Sequence, residues 1–189
     1  MRVIAGKFRS RPLHSLRGMD LRPTSDRLRE TLFNVLAAGN PDAFDGSVWL
    51  DLCAGTGAVG IEALSRGAGK VYFVDSSAQA AGLIQRNLSA LGVVERFEIL
   101  REKIDRALRR LDDGKFIADF IFLDPPYAME DLYLQTLQQL SQSRLVGPAA
   151  VVIAEHDKRF DLGDRFGPLH RYRKLKQGDA VLSFYRNQV

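Results

Sequence analysis

The sequence predicts an α/β fold with a doubly wound, mostly parallel sheet that ends in an antiparallel hairpin. Short, almost entirely apolar runs recur along the chain, and amphipathic segments with helical periodicity separate them. Strands that are apolar throughout are typical of a parallel sheet covered by helices on both faces. One such run, Phe120-Ile121-Phe122-Leu123, stops at Asp124-Pro125-Pro126-Tyr127. Because proline cannot donate to a sheet ladder, a strand must end there.

The predicted elements alternate regularly from residue 47 onward. Strands are predicted at residues 48–52, 71–74, 97–100, 120–123 and 149–154. Helices are predicted at residues 58–66, 78–91, 104–111 and 132–140. A terminal hairpin is predicted from residues 170–176 and 181–185, with Gln177-Gly178-Asp179 as its turn. This order is that of repeated βα units closed by an antiparallel pair.

Residues 1–40 are predicted to form a small N-terminal extension, a β-hairpin followed by a helix, and residues 41–189 the main domain. The hairpin is expected around Gly6 and Pro12. Ser25 and Asp26 are helix-capping residue types, and they precede an amphipathic pattern that ends near Gly39. Its apolar positions follow at i, i+4, i+7 and i+8, as in a helix with one buried face: Leu28, Leu32, Val35 and Leu36.

Composition excludes several classes of protein. With 189 residues, 46% hydrophobic and 26% charged, the chain is an ordinary globular protein with a sizeable core. No apolar run reaches membrane-spanning length, and the N-terminus lacks the apolar core of a signal peptide. The single cysteine, Cys53, excludes an internal disulfide and fits a reducing cytoplasm. One cysteine and three scattered histidines make a zinc site improbable, so we expect no metal requirement.

The positive charge is concentrated at one end of the chain. Residues 1–30 hold eight Lys and Arg against three Asp and Glu, whereas the remainder holds nineteen against twenty. A basic segment of this kind suits a polyanionic partner such as RNA, although a merely solvated basic face is the alternative. The candidate phosphate-binding residues are Arg2, Lys7, Arg9, Arg11, Arg17 and Arg22, with Arg171, Arg173 and Lys174 as further candidates.

The segment Asp124-Pro125-Pro126-Tyr127 is a candidate catalytic platform. It follows a buried strand, and open α/β sheets place their sites at the carboxyl ends of strands. The carboxylate of Asp124 and the carbonyl of Pro125 would accept hydrogen bonds from an exocyclic amine, while the ring of Tyr127 stacks on the planar group that carries it. The alternative is a simple strand-ending turn with a capping aspartate.

A glycine-rich turn supplies the second motif. Gly55, Gly57 and Gly60 follow the first strand in the pattern G-x-G-x-x-G, and Asp75 closes the next strand 20 residues after Gly55. This is the Rossmann-like nucleotide fingerprint, in which the acid accepts from ribose hydroxyls. Asp51 would lie close to a pyrophosphate, which is unfavourable for a dinucleotide. A cationic amino acid beside Asp51 is favourable, so the pattern favours S-adenosylmethionine over NAD.

These motifs resemble those of class I amino-methyltransferases: Asp51-Leu52-Cys53-Ala54-Gly55-Thr56-Gly57, Asp75 and Asp124-Pro125-Pro126-Tyr127. Two further stretches resemble the RsmD-type methyltransferases, which modify a guanine N2 in bacterial 16S ribosomal RNA: Arg22-Pro23-Thr24-Ser25-Asp26-Arg27-Leu28-Arg29-Glu30-Thr31-Leu32-Phe33-Asn34 and Glu62-Ala63-Leu64-Ser65-Arg66-Gly67-Ala68. The likeness covers nearly the whole chain. It departs from the usual pattern after the third strand, where Arg101-Glu102-Lys103-Ile104 replaces an Asn or Asp with a small residue.

The resemblance implies S-adenosyl-L-methionine as cofactor and ribosomal RNA as partner. Because the chain is nearly all catalytic domain, we expect the fold of the RNA to supply much of the selectivity, in an assembled small subunit. It makes residues 41–189 the catalytic domain. The candidate catalytic residues are Asp124, Pro125, Pro126 and Tyr127. The candidate cofactor-binding residues are Asp51, Cys53, Ala54, Gly55, Thr56, Gly57, Asp75, Ser76, Glu102, Lys103, Thr24 and Arg27. Among them, Cys53 is interpreted as a small packing residue and not as a nucleophile.

Other functions use parts of the same pattern. A nicotinamide oxidoreductase would use the glycine turn but not the platform, and a non-catalytic RNA-binding protein would use only the basic segment. An adenine-N6 nucleic-acid methyltransferase or a protein glutamine-N5 methyltransferase would share the platform, usually with Asn in place of Asp. Such enzymes tend to carry a recognition domain, for which we expect this chain to have no room.

Overall fold

The computed structural model describes residues 1–15, 25–114 and 116–188. The α-helices of this part are α1 (Asp26–Leu36), α2 (Ala58–Ser65), α3 (Ala78–Ala90), α4 (Ile104–Asp112) and α5 (Glu130–Leu140). The strands are β1 (Val48–Leu52), β2 (Lys70–Val74), β3 (Phe97–Leu100), β4 (Ala118–Leu123), β5 (Val146–Asp157), β6 (Arg165–Phe166), β7 (Leu169–Gln177) and β8 (Ala180–Asn187). Within the described ranges, no helix is both long and apolar enough to cross a membrane.

The strands form one sheet in the order β3-β2-β1-β4-β5-β8-β7-β6. The first five strands of this order are parallel, and β8, β7 and β6 are antiparallel. The predicted doubly wound sheet with a terminal hairpin is therefore confirmed. Sequence reasoning missed β6, which is too short to show a periodic pattern. It also underestimated β5, since antiparallel pairing with β8 extends that strand to Asp157.

Helices cover both faces of the sheet, which explains the uniformly apolar strands. On one face, α1, α2, α3 and the N-terminal segment pack over a hydrophobic cluster. On the other face, α4 and α5 pack over a second cluster. The rings of Phe33, Trp49 and Phe120 stack in a row, with centroids 5.2 and 4.6 Å apart, and join α1 to β1 and β4. The face-to-face arrangement makes α1 an integral part of the core.

The predicted N-terminal hairpin is confined to one antiparallel bridge, between Arg2 and Pro12. Between these residues the chain forms a 3-10 helix, Gly6–Phe8, instead of extended strands. The reason lies in the neighbouring helix α2. Gly6 has φ +77°, and a Cβ on it would lie 1.9 Å from the carbonyl oxygen of Ser65. Close approach to α2 therefore takes precedence over a longer ladder, and it requires glycine.

A buried carboxylate fastens the N-terminal segment to α2. Glu62, with no exposed surface, accepts hydrogen bonds from the main-chain N–H groups of Ile4 at 2.7 Å and Ala5 at 2.9 Å. It also accepts one from Nε of Arg66 at 2.8 Å, and Nε of the fully buried Arg29 in α1 lies 3.8 Å away. The side chain of Glu62 thus joins three parts of the chain: the residues around Ile4 and Ala5, helix α1 and helix α2.

Candidate active site

The glycine turn between β1 and α2 is shaped by close packing. Gly57 has φ +75° and precedes the first residue of α2. A Cβ on Gly60 would lie 2.3 Å from the ring of Phe73 in β2, so the third glycine lets the helix approach the sheet. The carboxylate of Asp51 accepts from the N–H of Gly60 at 2.9 Å. Asp51, only 2% exposed, therefore lies beneath the turn and joins β1 to α2.

Asp75, directly after β2, braces the same turn from the other side. One oxygen of its carboxylate accepts from the N–H of Gly55 at 3.0 Å, and the other accepts from the N–H of Ser77 at 2.9 Å. Ser77 in turn caps α3 by accepting from the N–H of Ala80. The acid that we expect to meet a ribose is thus held at a fixed place by two main-chain donors.

A second polar side chain, not identified from the sequence, supports the turn from α3. Asn87 is 1% exposed, and its amide donates to the carbonyl of Thr56 at 2.9 Å. The same amide group exchanges two hydrogen bonds with the main chain of His14, at 2.7 and 3.1 Å. Asn87 therefore connects the N-terminal segment directly to the glycine turn. An asparagine within a helix gives no sequence signal for such a contact.

The Asp-Pro-Pro-Tyr platform leaves β4 as predicted. The N–H of Asp124 donates to the carbonyl of Leu52 at 3.3 Å, which places Asp124 next to the end of β1. The carbonyl of Pro126 accepts from the N–H of Met129 at 2.8 Å and closes the turn into α5. The carbonyl of Pro125 accepts from the hydroxyl of Tyr133 at 2.8 Å. A carbonyl oxygen has two lone pairs, so one acceptor position remains compatible with a ligand.

Three carboxylates lie at the ends of the adjacent strands around Cys53: Asp51 near the end of β1, Asp75 after β2 and Asp124 after β4. Burial first, and then the charges of Asp75, Asp124 and Asp51, raise the pKa of the Cys53 thiol to about 12. The thiol is therefore protonated at neutral pH and a poor nucleophile, which fits the interpretation of Cys53 as a packing residue. Burial likewise raises the pKa of Asp51 to about 7, opposed by the Gly60 hydrogen bond and assisted by the charge of Asp75.

A cavity of about 430 Å³ opens beside this cluster. Its walls include the predicted residues Cys53, Asp75, Ser76, Glu102 and Lys103. Sequence reasoning missed the rest of the lining, which comes from the end of β2, the start of α4, and α5 and its approach: Val74, Ile104, Asp105, Met129, Leu132 and Gln135. The apolar members of this set offer contacts for a planar ring.

Two predicted cofactor residues, Arg27 and Thr24, are not among the residues that the structure shows in the cavity wall. Arg27 lies on α1, in a second groove, where Arg2 and Arg9 also lie. It is thus grouped with the candidate phosphate-binding residues and not with the cavity at the glycine turn. Thr24, Arg17 and Arg22 lie outside the described residues. The groove also contains the acids Asp26 and Glu30. Among the described residues, its lining consists of Arg2, Val3, Ile4, Arg9, Ser10, Asp26, Arg27 and Glu30.

The remaining basic candidates differ in their surroundings. Arg11 donates to the carbonyl of Ala90 at the end of α3. Lys7 lies 5.5 Å from the centroid of the Phe8 ring. In the tail, Arg171 pairs with Asp161 and Asp164, and Lys174 also pairs with Asp161. These tail pairs compete with any phosphate contact, so the tail is a weaker candidate than the N-terminal groove.

Known proteins are similar to this chain in both sequence and fold. A sequence profile of the family described as Conserved hypothetical protein 95 matches residues 1–186. The chain is 32% identical over 189 residues to the ribosomal RNA small subunit methyltransferase D of Escherichia coli K12, covering 100% of this chain and 91% of that protein. The structure of the hypothetical protein TTHA0928 from Thermus thermophilus is similar with a TM-score of 0.82 at 25% identity, covering 97% of this chain and 98% of that one.

A more distant structure shares the fold alone. SMU.776, solved in complex with S-adenosylhomocysteine, is similar with a TM-score of 0.65 at 14% identity, over 84% of this chain and 49% of that one. The matches to the profile and to the Escherichia coli relative each extend over nearly the whole chain. The chain therefore belongs to the Conserved hypothetical protein 95 family, the family of the small subunit ribosomal RNA methyltransferases D.

Proposed function

We propose that this ribosomal RNA methyltransferase transfers a methyl group from S-adenosyl-L-methionine to the exocyclic N2 amine of a guanine in 16S ribosomal RNA, within an assembled small-subunit particle. The observation that carries the proposal is that Asp75 and Asp124 follow β2 and β4, the strands on either side of β1, whose Asp51–Cys53 end lies beside a cavity of about 430 Å³. The relative from Escherichia coli is named for methylation of small-subunit ribosomal RNA. The choice of guanine N2 rests on the resemblance of residues 22–34 and 62–68 to RsmD-type enzymes.

The residues at the glycine turn fit S-adenosylmethionine. Asp75 presents a carboxylate to ribose hydroxyls, and Asp51 contributes negative charge beneath the site of a cationic amino acid. Ile104, Leu132 and Met129 supply apolar walls for an adenine ring. A pyrophosphate here would meet the carboxylate of Asp75 in the cavity wall, with Asp51 beneath the turn, which is unfavourable.

The platform residues would align and deprotonate the target amine. S-adenosylmethionine supplies a methyl group that its sulfonium has already activated, so alignment matters more than strong acid–base assistance. Asp124 accepts a hydrogen bond from one N–H of the amine, and the second lone pair of the Pro125 carbonyl accepts from the other. The lone pair of the nitrogen is thereby directed away from the base ring. The methylated nitrogen is cationic, and its proton passes to Asp124 or to water.

The N-terminal extension would hold the RNA. Residues 1–40 contribute the groove with Arg2, Arg9 and Arg27, while residues 41–189 contribute the catalytic site. Tyr127 stacks on the flipped base, which must leave its helix to reach the platform.

The deciding experiment identifies the methylated nucleoside. The enzyme is incubated with labelled S-adenosylmethionine and small-subunit particles that lack the modification, and the RNA is digested and analysed by mass spectrometry. We expect N2-methylguanosine at a single position. Label in N6-methyladenosine, or in glutamine of a protein, would contradict the substrate while leaving the platform argument intact. Naked 16S RNA is assayed in parallel, and equal activity on it would contradict the preference for particles.

The raised pKa of Asp51 predicts pH-dependent cofactor binding. A cationic amino group nearby favours the ionised carboxylate, so binding must displace the proton that Asp51 holds below about pH 7. Affinity for S-adenosylhomocysteine should therefore rise with pH up to about 7, by at most tenfold per unit, and flatten above it. Calorimetry in two buffers of different ionisation enthalpy measures the released proton. Asp51→Asn should remove the pH dependence, and an unchanged profile in that variant would contradict the assignment.

The basic groove predicts a salt effect that is separable from cofactor binding. Arg2 and Arg9 are exposed and line the groove, so replacing both by alanine should weaken RNA binding. The slope of log K against log salt should fall by roughly one unit per lost phosphate contact. Affinity for S-adenosylhomocysteine should not change. Arg159→Ala, which removes an exposed arginine elsewhere, is the control. An unchanged slope in the groove variant would mean that its arginines are only solvated.

A further inference from the structure

Glu155 is a buried carboxylate beside the platform, and the proposed reaction assigns no step to it. It is 4% exposed and belongs to β5. It follows Ala154, which pairs with Leu123, so it lies across from Asp124 at the point where β4 ends. Pairing with Leu182 of β8 continues the sheet on its other side. The main chain at residue 155 is thus fixed by β5, which continues beyond the end of β4.

Two tyrosine hydroxyls connect this residue to the platform. The hydroxyl of Tyr127 donates to Oε1 of Glu155 at 3.3 Å. The hydroxyl of Tyr133, which is fully buried, lies 2.8 Å from the carbonyl of Glu155 and 2.8 Å from the carbonyl of Pro125. The Tyr127 end of the Pro125–Tyr127 turn is therefore bonded to the Glu155 side chain, while the one hydroxyl proton of Tyr133 serves the carbonyls of Pro125 and Glu155 in turn.

The pKa of Tyr133 reflects the acidic groups around its hydroxyl. Burial, and then the charges of Asp124, Tyr127 and Glu155, raise the pKa of Tyr133 well above its usual range. A carboxylate in such a place is costly unless hydrogen bonds compensate for its lost hydration. The hydroxyl of Tyr127 is one donor that does so.

We infer that Glu155 is a positioning residue, whose carboxylate holds the ring of Tyr127 at the place where it stacks on the target base. The half-buried ring of Tyr127 follows two prolines, which fix their own backbone angles but not the side-chain torsions of the tyrosine. Anchoring its hydroxyl, at the far end of the ring axis, fixes the direction in which the ring points before the base arrives. The role in stacking rests on the proposed function, whereas the anchoring of the ring is a property of the protein alone.

The anchoring is tested without substrate. The chain contains five tyrosines, so protein labelled with 3-fluorotyrosine gives a small set of ¹⁹F signals, and Tyr127→Phe identifies the signal of Tyr127. Glu155→Met has a similar shape but no carboxylate acceptor, and it should shift that signal and narrow it as the ring gains motion. Glu155→Gln keeps an acceptor oxygen and should restore most of the original signal. Glu130→Met, at an exposed position in the first turn of α5, is the matched control. A Tyr127 signal that Glu155→Met leaves unmoved would overturn the inference.

The stacking role is tested by kinetics in the same variants. Glu155→Met and Tyr127→Phe should each lower kcat about 10- to 100-fold, as expected for a misplaced substrate, with unchanged affinity for S-adenosylhomocysteine. The double variant should be no slower than the slower single variant, because both changes break one contact. Glu155→Gln should recover most of the rate.

Two outcomes would indicate direct contact with the amine and overturn the inference. One is that the rate losses of the two single variants multiply in the double variant, and the other is a Glu155→Gln variant as slow as Glu155→Met. Wild-type protein without methylation activity would contradict the proposed function instead, and the ¹⁹F result would still decide the anchoring.

Discussion

Replacing Asp124 by alanine is expected to lower the rate of methyl transfer by roughly 10²- to 10⁴-fold, the range for a group that aligns and deprotonates the reacting atom. Asp124 is fixed at the end of β4 by its N–H bond to Leu52, and its charge is felt at Cys53 in the cavity wall. The ionised carboxylate can only accept, which is what an amine donor requires. Asp124→Asn keeps one acceptor but introduces a donor, so its rate should fall between those of alanine and wild type. The measurement is the yield of methylated nucleoside from undermethylated particles.

Binding separates this effect from damage to the cofactor site. The cavity of about 430 Å³ is lined, within the described part of the chain, by residues other than Asp124, so the alanine variant should bind S-adenosylhomocysteine with nearly wild-type affinity. Asp131→Ala, an exposed acid in the first turn of α5, should keep its activity. An Asp124→Ala enzyme that retains more than about a tenth of the wild-type rate would contradict the role of Asp124 in the reaction.

Replacing Glu62 by alanine is expected to lower the free energy of unfolding by about 3–5 kcal/mol, the cost of removing one partner from a buried ionic group. The change leaves the N–H groups of Ile4 and Ala5 without their acceptor. It also removes the carboxylate that lies beside the buried guanidinium of Arg29, whose pair with Asp26 is more exposed to solvent. Urea unfolding followed by circular dichroism gives the free energy.

Two comparisons make the Glu62 result specific. Glu30→Ala removes an exposed acid from α1 and should change the free energy of unfolding by less than about 0.5 kcal/mol. Limited proteolysis should cleave the Glu62→Ala protein within residues 1–15 sooner than wild type. The reason is that Ile4 and Ala5 have lost their hydrogen bonds to α2. A loss of stability below about 1 kcal/mol would mean that other contacts hold the segment in place.

The local sequence was sufficient for most of the fold and for the placement of the candidate acids at one edge of the sheet. Continuous apolar runs marked the parallel strands, because a strand covered on both faces must be apolar on both. Gly57 and Gly60 marked the turn into α2, where backbone conformation and close packing require glycine. Asp75 and Asp124 follow directly after β2 and β4, and parallel strands bring such ends to one edge of a sheet. Spacing alone therefore predicted which acids meet.

Only the tertiary structure decided which side chains hold this site together, because their partners are far apart in the chain. Glu62 binds the main chain 57 and 58 residues away, and Asn87 binds His14 across 73 residues. Arg27 lines the groove of Arg2 and Arg9, which α1 forms together with the N-terminal segment. The extent of β5 was set by its pairing with β8, and that extension places Glu155 beside Tyr127. Such contacts depend on how elements pack, and no periodicity or motif within a short window encodes them.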